Sequence, residues 1–162
     1  MTDLELRVVS FEHADAAALM TEVRAEYAAR YGAGDATPMT AGEFAAPSGL
    51  FLVAYAPGEP LGCGGWRAHP DGSAEIKRMY VRRTARGRGL SRVILAELER
   101  TARGAGHRRI VLETGPRRPE AIALYHDAGY TPGEPFGRYA CDVDALFFTK
   151  DLEAPDGDLR AG

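Results

Sequence analysis

The 162-residue chain holds two cysteines, one tryptophan and four histidines. Cys63 and Cys141 make no disulfide framework, and neither has a second cysteine at metal-binding spacing. His13, His69, His107 and His126 are scattered, so no metal site is expected. Cys63 reads as a buried strand cysteine acting as a small hydrophobe rather than as a nucleophile. The chain also lacks any run of about 18 apolar residues that could span a bilayer. Its acidic start has no signal-peptide pattern, and the expected location is cytoplasmic.

Charge of one sign is missing overall but not locally. The net charge is −3, yet residues 1–75 hold 4 basic and 11 acidic side chains, residues 76–118 hold 13 and 3, and residues 119–162 hold 3 and 9. A basic segment inside an acidic chain points to one local polyanion site rather than to a surface that coats nucleic acid. No internal repeat and no second domain are visible. One domain is expected over residues 1–153, with 154–162, rich in Pro, Gly and Asp, as a frayed tail.

Periodicity and turn residues give alternating elements. Leu4 to Val9 reads as a strand and Ala14 to Tyr31 as a helix, with Ala18, Leu19, Val23 and Tyr27 along one side. Gly32 to Gly49 is a loop or broken helix. Strands follow at Leu50 to Tyr55, Leu61 to Arg67 and Ile76 to Val81. A helix opens near Leu90 and ends at Gly104-Ala-Gly106. Arg109 to Glu113 is a further strand, Pro119 to Asp127 a short helix closed by Gly129, and Phe136 to Tyr139 and Leu146 to Leu152 the last strands. The class is α/β with a mixed sheet.

The informative stretch runs from Glu75 to Ser91. A strand enters the basic turn Arg86-Gly87-Arg88-Gly89 and then a helix with an apolar stripe of Leu90, Val93, Ile94, Ala96, Leu98 and Ala102. Gly87 and Gly89 carry no Cβ, so the backbone can bend sharply and aim successive N–H groups at a ligand. The first amides of the helix have no partner within it and the macrodipole there is positive, so a phosphate or pyrophosphate is the natural guest.

Arg86-Gly87-Arg88-Gly89-Leu90-Ser91 resembles the pyrophosphate loop of the GCN5-related N-acetyltransferases (GNAT), with Ser91 where the family usually has Gly or Ala. A second block, Arg118-Pro-Glu-Ala-Ile-Ala-Leu-Tyr-His-Asp-Ala-Gly-Tyr130, is similar to that family's Asn-x-x-Ala-x-x-Leu-Tyr segment, with Arg118 in place of the asparagine. The resemblance covers residues 50–150 in outline and 75–130 in detail. It implies a single-domain, mostly antiparallel sheet flanked by helices, with a bulge that splays the central strand pair.

The resemblance further implies an acetyl-CoA-dependent N-acetyltransferase that moves an acetyl group to a primary amine of a small molecule by direct attack in a ternary complex. No metal, nucleic acid or membrane is implied, and the protein is expected to be a monomer or homodimer. The donor would be held by the main chain of Met79, Tyr80 and Val81, the loop Arg86, Gly87, Arg88, Gly89, Leu90 and Ser91, and Arg118, Ala121 and Tyr125. Tyr125 stands at the family's proton donor to the departing thiolate; its other reading is a core aromatic. Glu75 stands at the general base, or is a strand carboxylate paired with Lys77, and Glu113 is a weaker candidate. A water chain could serve instead. Arg78 or Arg138 could grip an acceptor carboxylate, which favours an amino acid or similar zwitterion. Two other readings remain: a non-catalytic acyl-CoA-binding module, and a nucleic-acid binder using the seven basic residues from Lys77 to Arg92.

Overall fold

The computed structural model describes residues 3–32, 39–115 and 118–153; the tail expected to be frayed lies outside them. Seven strands form one sheet in the order β1-β2-β3-β4-β5-β7-β6. These are β1 (Glu5–Val8), β2 (Gly49–Ala56), β3 (Glu59–Ala68), β4 (Ala74–Val81), β5 (Arg109–Thr114), β6 (Thr131–Pro132) and β7 (Leu146–Asp151). Every neighbouring pair is antiparallel except β4 and β5, which run parallel. The helices are α1 (Ala14–Tyr31), α2 (Leu90–Gly104) and α3 (Pro119–Asp127).

Local chemistry accounts for the helix ends. His13 Nδ1 accepts from the Asp15 N–H at the start of α1, and Gly32, left-handed at φ 79°, donates to the Ala28 carbonyl at its end. Pro119 occupies the first turn of α3, where its missing N–H costs nothing. The expected strand Phe136 to Tyr139 is not a strand: Gly137–Tyr139 is a 3-10 turn with Phe136 as its N-cap. Gly137 at φ 70° leaves the β region, so the aromatics flanking it cannot hold a ladder. The edge strand is Thr131–Pro132 instead, paired with Thr149 and Phe148.

Two cores sandwich the sheet. On one face Leu90, Ile94, Leu95, Leu98 and Ala102 of α2 pack with Leu52, Trp66, Ile76, Ile110, Leu112 and Tyr125. On the other, Ala16, Leu19, Met20 and Val23 of α1 meet Phe51, Val53, Tyr55, Cys63 and Tyr80. The Trp66 indole, buried in the first core, donates from Nε1 to Thr101 Oγ1 at 3.0 Å, which satisfies its one polar atom.

Two irregularities in β4 position the site. First, β4 pairs with β5 only at Ala74↔Ile110 and Glu75↔Val111, so the two strands diverge beyond Glu75 and leave a wedge. Second, the β3 ladder slips: Cys63 faces Tyr80 but Gly65 faces Lys77, so β4 carries an extra residue. Arg78, at φ 60°, absorbs it as a bulge. The side-chain alternation inverts there. Ala74 and Ile76 face α2 before the bulge, and Met79 and Val81 face α2 after it, while Tyr80 turns to the α1 core.

Candidate active site

The wedge between β4 and β5 opens into a cleft of about 220 Å³ whose walls come from four elements. Met79, Tyr80 and Val81 supply the free edge of β4, and Ala85, Gly87, Gly89, Leu90 and Ser91 supply the turn and the start of α2. Arg118, Glu120, Ala121, Leu124 and Tyr125 come from α3, and Glu26, Tyr27 and Arg30 from the second half of α1. Gly87 and Gly89 sit at φ 81° and 75°, and a Cβ on either would meet no atom within 4 Å. Backbone conformation rather than crowding therefore demands glycine at these two positions. Gly89 is also the N-cap of α2, so the unpaired amides of the first turn follow it directly.

Arg86 also borders the cleft, but its side chain is committed to the protein. Its Nη1 and Nη2 reach the two Glu26 carboxylate oxygens at 2.9 and 2.7 Å, and its Nε donates to the Val81 carbonyl at 2.8 Å. This bidentate pair holds the Glu26 carboxyl below the usual carboxylate range. Arg86 thus braces the turn against α1 and the end of β4. Arg30 reaches Glu120 at 3.2 Å, tying α1 to α3 across the same cleft. Arg88 is the one expected donor-binding residue that does not line it: the exposed side chain folds back to the Thr84 carbonyl at 3.4 Å.

Tyr125 is 7% exposed and sits deep in the wedge, with its hydroxyl 4.0 Å from Met79 Sδ and its ring edge-on to Tyr130 at 5.5 Å. Burial pushes its phenol up to about 12, and the Arg118 guanidinium works in the opposite direction. Arg118 caps α3 and stacks over the Tyr27 ring at 5.0 Å. Cys63 does not reach the cleft: it is fully buried, its Sγ donates to the Arg78 carbonyl at 3.5 Å, and burial pushes its thiol up.

Glu75 lies elsewhere. It precedes the bulge and so faces the α1 side of the sheet, 6% exposed, where its Oε1 accepts from Arg67 Nε at 3.0 Å. Arg67 also binds Glu43 at 3.2 Å. Lys77, likewise buried, follows on the same face, and on β5 Glu113 shares it by alternation with Ile110 and Leu112. Phe136 packs on His69 and Phe147 at 5.0 and 5.3 Å beside Gly137–Tyr139, the turn that carries Arg138. The backbone of β4 therefore separates the Tyr125 cleft from the Glu75 side.

The model of the acetyltransferase (GNAT) family matches residues 16–130. The chain belongs to this family of acetyltransferases. An IAA acetyltransferase of Azospirillum brasilense is 41% identical over 109 residues, which cover 67% of this GNAT chain and 71% of that protein. A crystal structure of a Klebsiella pneumoniae subsp. pneumoniae protein assigned as an acyl-CoA N-acyltransferase superposes with a TM-score of 0.79 at 28% identity, covering 93% of this chain and 98% of the other. A GNAT family acetyltransferase from Elizabethkingia anophelis, solved with acetyl-CoA bound, shares the fold with a TM-score of 0.68 at 15% identity, covering 94% and 100%. The GNAT fold explains the mixed sheet and the wedge together, and the protein is an acyltransferase of that kind.

The residues that sequence reasoning missed are the α1 wall, Glu26, Tyr27 and Arg30. The i, i+4 spacing of Glu26 and Arg30 was the available signal, but it reads equally well as an ordinary pair on a solvated helix face. Among the described residues no helix is long and apolar enough to cross a membrane, and no group of three or more His, Cys, Asp or Glu could hold a metal ion.

Proposed function

We propose that this acetyltransferase takes acetyl-CoA as acyl donor in the β4–β5 wedge and transfers the acetyl group directly to a primary amine of a small molecule. The observation that carries the reading is the coincidence in one cleft of the splayed β4 edge, the left-handed Gly87–Gly89 turn at the start of α2, and buried Tyr125. The donor residues fit a polyanion with a thin neutral arm. The turn amides and the α2 dipole meet a pyrophosphate, and the β4 edge at Met79, splayed from β5, can pair with the amide-bearing arm as an added strand would. The relative from Elizabethkingia anophelis, which shares the fold, binds acetyl-CoA.

The donor supplies an activated thioester; the chain's residues do the rest. Main-chain N–H groups of Met79 or Tyr80 stabilise the oxyanion that develops on the carbonyl. Tyr125 donates its proton to the departing sulfur. Glu75, across the strand, takes the amine's proton through water, since an alkyl amine with a pKa of roughly 8 to 10 arrives mostly protonated. No cysteine lines the cleft among the described residues, which favours direct attack over an acyl-enzyme. Aromatic Phe136 with Arg78 and Arg138 on the acceptor side favours an amine that also bears a carboxylate. The amines are sorted by a panel of amino acids and simple alkyl amines with thiol release as readout. Isothermal titration with acetyl-CoA, with ATP, NAD and a DNA duplex in parallel, tests the donor: selective acetyl-CoA binding is expected, and heat from DNA or NAD alone would refute the reading.

A further inference from the structure

Arg118 differs in its surroundings from the other cations of the cleft. Arg86 and Arg30 are matched by carboxylates, Glu26 at 2.7 Å and Glu120 at 3.2 Å. Arg118 makes no salt bridge among the described residues, and its Nε is buried without a hydrogen-bond partner. A buried donor left unpaired costs free energy, and a charged one costs more, so this nitrogen carries a penalty that a bound group could relieve. The guanidinium is held in place from one side by the Tyr27 ring at 5.0 Å. It shares the cleft with Tyr125, and its charge is the one influence on that phenol that opposes burial; Tyr27 and Glu113 act in the same sense as burial.

The transfer step leaves negative charge near these two residues. The amine lone pair forms the N–C bond, the C–S pair departs on sulfur, Glu75 or water takes the amine proton, and the sulfur receives one from Tyr125 Oη, which is refilled from solvent. A phenol held neutral by burial is a reluctant donor to a thiolate whose acid has a pKa near 8.5. Resting on the donor reading above, we infer that Arg118 is a charge-stabilising residue of this step, its guanidinium, which makes no salt bridge among the described residues, offsetting the negative charge on the departing sulfur so that Tyr125 is not required to protonate it early. An asparagine at this place could hold the donor arm but could not supply the charge. The facing groups of the cleft are Glu26, Tyr27 and Arg30 of α1, Arg86 of the turn, and Glu120 and Tyr125 of α3, with Glu113 of β5 acting on Tyr125 from the other face of the sheet; the two carboxylates that line the cleft, Glu26 and Glu120, are bound by Arg86 and Arg30, and Arg118 adds its charge near Glu120.

The test compares free CoA with acetyl-CoA by isothermal titration at pH 6.5 and 9.5. The two ligands share every phosphate contact and differ in the ionisable thiol, so the ratio of their affinities reports the sulfur's surroundings alone. In the wild-type protein the ratio should shift towards CoA by about tenfold between the two pH values, the size set by a drop of about one unit in the pKa of the bound thiol. Arg118→Gln should abolish that shift while still binding acetyl-CoA, and Arg118→Lys should retain most of it. A wild-type ratio that does not move with pH, or a shift that survives in Arg118→Gln, would overturn the inference. If acetyl-CoA fails to bind the wild type at either pH, the donor reading itself falls.

Discussion

Replacing Tyr125 with Phe removes one oxygen from a site where the protein barely uses it. The hydroxyl's hydrogen-bonding neighbour is the Met79 thioether at 4.0 Å, too long and too weak an acceptor to contribute more than a few tenths of a kcal/mol. The ring keeps its contacts with Tyr130 and Phe148. Stability should therefore change by less than about 0.5 kcal/mol, a Tm shift of no more than ~2 °C for a domain of this size. Catalysis should suffer far more: loss of a positioned proton donor typically costs about 10²- to 10³-fold in rate, or roughly 3 to 4 kcal/mol of barrier. Alkaline unfolding adds a second readout. Burial holds the phenol at about 12 in the folded state, above the ~10 of the unfolded chain. As pH rises the unfolded chain loses this proton first, so the stabilisation present below pH 10 drains away between about 10 and 12, by at most about 3 kcal/mol. The variant should lose stability less steeply over that window. The assays are thiol release with a competent amine, acetyl-CoA titration and urea midpoints at pH 8, 10 and 11. A Tyr125→Phe enzyme that keeps more than about a third of wild-type kcat would refute the acid role, and an unchanged alkaline slope would refute the burial argument.

Gly89→Asp places a carboxylate at the anion cradle on a left-handed backbone and should weaken acetyl-CoA binding by at least about tenfold; titration at unchanged circular dichroism is the check, and unaltered affinity would remove the cradle from the account. Glu75→Gln preserves a partner for Arg67 but not a base: kcat should fall about 10²-fold near neutrality and recover partly at high pH, where the amine is already neutral, and a rate profile identical to wild type would exclude it. A double-mutant cycle of Glu26→Ala and Arg86→Ala, read from urea unfolding, should give a coupling of about 1 kcal/mol, modest because Arg86 is 39% exposed; a coupling near zero would mean that the brace is a surface pair without consequence.

Much of this arrangement was legible because its signals are local. Pro119 and Gly129 bracket α3, Gly32 stops α1, and the strand-turn-helix order around Gly87 and Gly89 marks the left-handed turn that opens α2. What failed to show depends on contacts distant in sequence. Phe136, Gly137, Arg138 and Tyr139 have the aromatic content of a strand, but β7 takes its ladder from Thr131 and Pro132 instead. The inward faces of Glu26 and Arg30 exist only because α3 and the Arg86 turn fold against α1. Arg88 sits in a motif that expects it at the phosphates, and an available carbonyl at Thr84 captures it. The expected bulge is present, and its trace was in the sequence: apolar residues at 74, 76, 79 and 81 break a strict period of two.

That broken period makes β4 a phase shifter. One strand normally serves two faces by turns, odd positions to one side and even to the other, but the extra residue at Arg78 lets odd positions address the α1 face at Glu75 and Lys77 and the α2 face, with the cleft, at Met79 and Val81. The step along the chain from one face to the other is thereby counted in whole residues. Turns between strands can lengthen or shorten without disturbing that count, and deletion of Arg78 alone would close the bulge into a regular ladder, leaving Met79 and Val81 on the α2 face while straightening the edge that borders Tyr125.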